Sequence, residues 1–206
     1  MGSPIIEDVT GVLVAGGKSR RMGRDKRFLK VGGVSVFDRS LSLFQTIFAE
    51  NLVALAEPVD GLEVQGCPVV YDVVKNAGSL GGLLTGLIAS TRGRVFAIGC
   101  DMPFLDQDVI RFMCSCDSTA DVVVARLEGR FHPMHAVYSK RCVPLLQAMA
   151  ERRELKIQSL YVCKGLRIRV LSDADFLHFR SNVRSFRNIN TPDDLASAEN
   201  SSSNGR

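Results

Sequence analysis

The chain has 206 residues, is 46% hydrophobic and carries a formal net charge of +4. That is enough apolar material for one core, so a single domain is expected over residues 1–200 with a disordered tail at 201–206. No run approaches the ~18 apolar residues of a membrane span, the first residues lack a secretory leader's pattern, and Ile6 stands where a myristoylation signal has Ser or Thr; a cytoplasmic protein without a membrane partner is expected.

An apolar run at 12–15 (Val12, Leu13, Val14, Ala15) predicts the first strand. Gly16 and Gly17 end it, and Lys18, Arg20, Arg21, Gly23 and Arg24 lead on to Lys26. Small residues let backbone amides approach an anion closely, and the cations add charge-assisted donors, so a nucleoside triphosphate or pyrophosphate is the expected guest. The loop is not of the Walker type: Gly17-Lys18-Ser19 is present, but Val12 occupies the position of the required earlier glycine. Nor is it a dinucleotide fingerprint, because Gly16 and Gly17 are adjacent and no third glycine has the right spacing. The plain alternative is a basic, solvated turn.

Further along, Val36, Phe37, Ser40, Leu41, Phe44, Ile47 and Phe48 recur at helical spacing and predict an amphipathic helix. Strands are then expected at 52–56, 69–71, 95–99, 121–125, 134–138 and 167–171, and helices near 82–90, 106–114, 141–149, 156–163 and 192–198. The last helix has a readable start, with Thr191 as N-cap, Pro192 in the first helical position and Asp193 and Asp194 against the dipole. Alternation of strands with helices, and strands apolar on both faces, predict an α/β fold with a mostly parallel sheet covered on both sides. Ligands in such folds sit beyond the carboxyl ends of the strands, where strand order reverses.

Four strand ends carry polar groups: Gly16-Gly17, Tyr71-Asp72, Gly99-Cys100-Asp101, and the stretch from His132 to His135 that enters a strand. A carboxylate at Asp101, fixed by the turn at Pro103, suits Mg²⁺, which takes one or two carboxylates and completes its shell with phosphate oxygens and water. Asp72 is placed for the same cation or for a ribose or base group; a turn or cap is the alternative for each aspartate alone. Gly78, Gly81 and Gly82 precede a helix and allow close approach of a base or sugar, or simply a tight loop.

Pro133 separates His132 from His135 and disfavours a helix between them, so a substrate contact or a buried histidine is expected rather than a metal pair. His178 reads as structural. Arg152 and Arg153, between Glu151 and Glu154, are placed to clamp an acceptor phosphate or to form a solvated charged turn. The six cysteines are scattered and read as small buried hydrophobes; Cys114-x-Cys116 has no second pair to complete a metal site. Cations concentrated in one loop, with three tyrosines and no tryptophan, argue against a nucleic-acid partner.

With these motifs assembled, the chain resembles the molybdenum cofactor guanylyltransferases, the MobA-like nucleotidyltransferases, from Gly11 to about Leu195. The strongest motif is Val14-Ala-Gly-Gly-Lys-Ser-Arg-Arg-Met-Gly-Arg-Asp-Lys26, similar to the family's Leu-Ala-Gly-Gly-x-Ser-x-Arg-Met-Gly-x-Asp-Lys. Asp72, Leu80-Gly81-Gly82, Cys100 to Phe104, His132-Pro133 and Asn188 to Leu195 follow in the family's order. Ser79 stands where the family has proline, and Leu55 stands near a position where some members have asparagine.

The resemblance implies a single three-layer, Rossmann-like nucleotidyltransferase domain. It implies a Mg²⁺-dependent reaction in which GTP and molybdopterin, or Mo-molybdopterin, give the guanine dinucleotide cofactor and pyrophosphate. It implies further partners in a molybdopterin-insertion protein and acceptor molybdoenzymes. By the same resemblance Lys26, Arg21 and Asp101 are catalytic, with Asp101 holding the metal. The nucleotide set is Val14, Ala15, Gly16, Gly17, Lys26, Asp72, Gly81, Gly82 and Asp101. His132, Arg152, Arg153, Asn188 and Asn190 are candidates for the pterin side. Rival readings are a CTP-dependent molybdopterin enzyme, another small-molecule nucleotidyltransferase, and a non-catalytic nucleotide-binding regulator. The CTP enzymes commonly carry Ala-Ala-Gly where this chain has Ala15-Gly16-Gly17, which favours GTP.

Overall fold

The computed structural model of the chain describes residues 3–16, 28–62, 64–179 and 182–203. Its elements in order are β1 (Ile6–Val14), β2 (Lys30–Val31), β3 (Val34–Ser35), α1 (Val36–Ile47), β4 (Phe48–Leu55), β5 (Val69–Tyr71), α2 (Gly78–Ala89), β6 (Arg94–Gly99), α3 (Gln107–Ser115), β7 (Val122–Leu127), β8 (Arg130–Ser139), α4 (Val143–Glu151), β9 (Ile168–Leu171) and α5 (Pro192–Ser203). The main sheet runs β5-β4-β1-β6-β8-β7-β9. Every neighbouring pair is parallel except those of β8, which is antiparallel to both β6 and β7. The α/β fold with a mostly parallel sheet is as the strand–helix alternation predicts.

Two apolar layers sandwich the sheet. On one side α1 and α3 cover Leu13, Phe96 and Ile98, and Phe44 meets Phe48 edge-on at 5.1 Å. On the other, α2 and α4 cover Val12, Val14, Ala97 and Tyr138. Because both faces are covered, residues 9–14 of β1 are all buried, which accounts for the unbroken apolar run that begins at Val12. The side of α2 that meets β1 is made by Gly82 and Gly86, four residues apart. A Cβ on Gly86 would stand 2.6 Å from Val12 Cγ1, and one on Gly82 would overlap Val14 Cγ1. Helix and strand approach this closely only without side chains there.

Four details differ from the sequence expectations. The segment 78–82, read as a loop before a helix, is the first turn of α2, since its glycines serve packing as well as turning. The hairpin of β2 and β3 around Gly32 and Gly33 is too short to leave a periodic signal. The expected helix at 156–163 is a 3-10 segment, Ile157–Val162. Helix α5 continues to Ser203, so 201–203 of the expected tail are helical, while 204–206 lie outside the described residues. The predicted cap of α5 is present: Thr191 Oγ1 accepts from the Asp194 amide at 3.1 Å. Among the described residues, no helix is long and apolar enough to cross a membrane.

Candidate active site

The central strands end level with one another. Val14 is in register with Ala54 of β4 and with Gly99 of β6, and Leu55 with Tyr71 of β5. The ladder then runs one step further: Ala15 N donates to Ala54 O at 2.9 Å, Asp72 N to Leu55 O at 2.9 Å, and Cys100 N to Val14 O at 3.2 Å. Gly16, Asp72 and Asp101 therefore leave the sheet at one rim. Strand order reverses about β1, β4 and β5 lying on one side and β6 on the other, so this rim is where the fold places ligands.

Asp72 leans over the end of β4. Its Oδ2 lies 3.6 Å from the place a Cβ on Gly16 would take, and 3.0 Å from that of Gly81. Its Oδ1 is buried and, among the described residues, has no hydrogen-bond partner. Thr85, buried on α2, accepts from the Val73 amide at 3.0 Å, which leaves its hydroxyl proton for the carboxyl group. Burial pushes the Asp72 carboxyl up to about 6, with the Thr85 hydrogen bond opposing the shift. A desolvated carboxyl group with one oxygen unsatisfied, at a rim cleared of side chains, is chemically suited to accept from a ligand's N–H or O–H. Thr85 left no signal in the sequence, because an isolated threonine among leucines and glycines reads as helix filler.

Asp101 stands on the other flank of β1. Its Oδ1 lies 2.8 Å from the position of a Cβ on Gly99, with Met134 Cβ 3.8 Å from that same point. Among the described residues no group of three or more His, Cys, Asp or Glu side chains is arranged to hold an ion. A single carboxylate is donor set enough for Mg²⁺ when phosphate oxygens and water supply the rest, so Asp101 fits a cation arriving with a triphosphate.

The remaining candidates divide. Val14 and Ala15 are buried beneath the rim, and Gly82 faces Val14 inside the helix–sheet contact. Gly17, Arg21 and Lys26 lie outside the described residues. His132, half-buried, meets Phe186 at 5.3 Å; burial lowers its pKa, with Asp173 and Glu128 opposing. His135 is fully buried and packed on Phe186 at 4.2 Å with the rings tilted by 31°, and among the described residues neither ring nitrogen makes a hydrogen bond of ordinary geometry. His178 packs on Phe179 at 4.1 Å.

Arg152 pairs with Glu154 at 3.6 Å on the surface. Arg153 has φ of 58° and donates from Nη1 to Lys75 O at 3.4 Å, so it faces the turn between β5 and α2. Asn188 lines a cavity of about 350 Å³ with Phe104 and Asp194, and the Asn190 amide donates to Asp194 Oδ2 at 2.9 Å. The structure thus joins Gly16, Asp72 and Gly81 directly, and sets Asp101 on the other side of β1. All six cysteines are free.

The family described as the MobA-like NTP transferase domain matches residues 11–163, which take in the rim, the second half of β1 and every later strand but β9. The chain belongs to that family. Among its relatives, the molybdenum cofactor guanylyltransferase of Mesorhizobium japonicum is 36% identical over 202 residues, covering 93% of this chain and 94% of the relative. That of Desulfosudis oleivorans is 30% identical and covers 98% of this chain and 99% of its own. The crystal structure of molybdopterin-guanine dinucleotide biosynthesis protein A from Archaeoglobus fulgidus superposes with a TM-score of 0.82 at 21% identity, covering 95% of this chain and all of that one, a likeness of fold.

Proposed function

We propose that the protein is a molybdenum cofactor guanylyltransferase, transferring GMP from GTP to the phosphate end of molybdopterin, with or without molybdenum, and releasing pyrophosphate. The observation that carries this reading is the carboxyl group of Asp72, desolvated and half unsatisfied against Gly16 and Gly81, in a chain whose near full-length relatives bear that name.

An oxygen of the acceptor phosphate attacks the α-phosphorus of GTP in line. The new P–O bond forms as the bond to the β-phosphate oxygen breaks, and pyrophosphate leaves with the electron pair. Such a transfer needs alignment and charge stabilisation more than covalent help. Amides about Gly16 and Gly17 cradle the triphosphate, and Lys26 with Arg21 meets the charge that develops on the leaving pyrophosphate. Asp72 accepts from the ribose or the guanine, and the start of α2 about Gly78 and Gly81 lies against the same nucleoside. Asp101 would hold Mg²⁺, which when bound would supply neutralising charge at the phosphate oxygens. His132, Arg152, Arg153, Asn188 and Asn190 are the residues proposed for the pterin side. A molybdopterin-insertion protein and the acceptor molybdoenzymes are the proposed partners, and the cytoplasm the proposed compartment.

The test is pyrophosphate release with Mg²⁺ and molybdopterin, comparing GTP, CTP, ATP and UTP. GTP-selective release with a guanine dinucleotide product is expected. CTP selectivity would move the protein to the cytidylyl activity on the same acceptor, and nucleotide binding without release would favour the regulator.

A further inference from the structure

The loop that carries Asp101 is gripped by groups from two distant parts of the chain. Arg39, half-buried on α1, donates from Nη2 to Val31 O at 2.8 Å and from Nη1 to Pro103 O at 3.3 Å. The Ile189 amide donates to Asp101 O at 2.8 Å, and Ser185 Oγ accepts from the Asp106 amide at 3.1 Å. All four contacts on this loop and on Val31 fall on main-chain atoms. Val31 lies a few residues beyond the 17–27 segment that holds Lys26. It is buried with Leu29, Val36, Ile189 and Ala198 in a small cluster of its own, against which Phe104 packs.

We propose that Arg39, with the Ile189 amide, is a brace that fixes the Asp101 loop relative to the chain leaving the phosphate loop, and that Arg39 is therefore a positioning residue for the divalent cation. Apolar packing at Ile189 brings the two segments together, but it is non-directional and tolerates sliding. A guanidinium is a rigid planar fork, and its two arms set the separation of the Val31 and Pro103 carbonyls. The segments so joined lead from the residues proposed to meet the two ends of the breaking bond. A lysine reaches one carbonyl and cannot hold both in one plane.

The inference rests on the reading of Asp101 as a metal ligand, and the experiment separates the two. Mn²⁺ binding to the full chain is measured by electron paramagnetic resonance in the presence of α,β-methylene GTP, which is not cleaved at the reacting bond. Affinity for that nucleotide without divalent cation and the melting temperature are measured alongside. Arg39→Met keeps the stem and removes both donors. It is expected to weaken Mn²⁺ about tenfold, the low end of what losing a ligand's support costs, while cation-free nucleotide affinity stays within about twofold. Arg39→Lys should fall between, and Ser185→Ala should show the same split should Arg39→Met not fold. Wild-type Mn²⁺ affinity in Arg39→Met, or a parallel fall in both affinities that tracks the melting temperature, would overturn the brace. Asp101→Asn is the control: loss of Mn²⁺ binding there upholds the metal reading whatever Arg39 does, and its retention would overturn both.

Discussion

Asp72 Oδ2 lies 3.0 Å from the position that a Cβ on Gly81 would occupy, with Ala77 Cβ also at 3.0 Å and Val74 O at 3.2 Å. The first turn of α2 and the carboxyl group are thus fitted to each other. Gly81→Ala is expected to push Asp72 off the rim and to weaken GTP binding about tenfold. The crowded contacts should cost about 1–3 kcal/mol of stability as well. Calorimetric titration with GTP beside thermal unfolding checks this; unchanged affinity in a folded variant would separate Asp72 from the nucleotide.

The same carboxyl group gives a pH dependence. Its pKa is raised to about 6 by burial, so the protein without ligand holds a proton there that the unfolded chain releases nearer 3.8. Between those values the native state binds more protons, and this group's contribution to stability grows as pH falls. Ligand binding runs the other way if the ionised form is the acceptor. GTP affinity should be flat above pH 6 and fall by about tenfold per unit below it, as one proton competes with the ligand. Asp72→Asn should flatten that slope, which titrations from pH 5 to 8 would detect.

Asp101 is held through its main chain, where its carbonyl accepts from Ile189. Replacing only the side chain keeps that main-chain acceptor. Asp101→Asn should lower Mg²⁺-dependent turnover by about a hundredfold or more, the scale for losing a charge-stabilising group. Activity that saturates with Mg²⁺ as in the wild type would remove Asp101 from the site.

Much of this was readable from the chain because the physics involved is local. The run from Val12 to Ala15 is buried on both faces and so lacks alternation, and Thr191-Pro192 places a helix start within a residue. Asp72 and Asp101 were legible as strand ends. What stayed hidden depends on partners distant in sequence. Gly82 reads as a loop glycine, and Gly86 as one more residue of the expected helix, until Val14 and Val12 are seen to fill the space beside them. Thr85 matters only because β5 delivers Val73 and Asp72 beside it. Arg39 sits on the polar side of an amphipathic helix and reads as solvated, yet it joins carbonyls eight residues before it and sixty-four after it.

His135 illustrates the same point, and its burial carries a prediction. The ring is fully buried between Phe96, edge-on at 5.3 Å, and Phe186, tilted against it at 4.2 Å. Burial, with His132 nearby, pushes its pKa down to about 3 from 6.5, while the Ser185 main chain and Asp106 oppose the shift. The native state keeps the ring neutral where the unfolded chain protonates it. Stability from this group is therefore complete above pH 6.5 and is lost as pH falls toward 3, by about 1.4 kcal/mol per unit. A phenyl ring takes the same place without titrating and leaves no unpaired nitrogen. His135→Phe should match or exceed wild-type stability at pH 7, and its advantage should widen steadily in urea unfolding at pH 6, 5 and 4. A constant gap across that range would mean that the ring is protonated in the native state or paired in a way that the packing excludes.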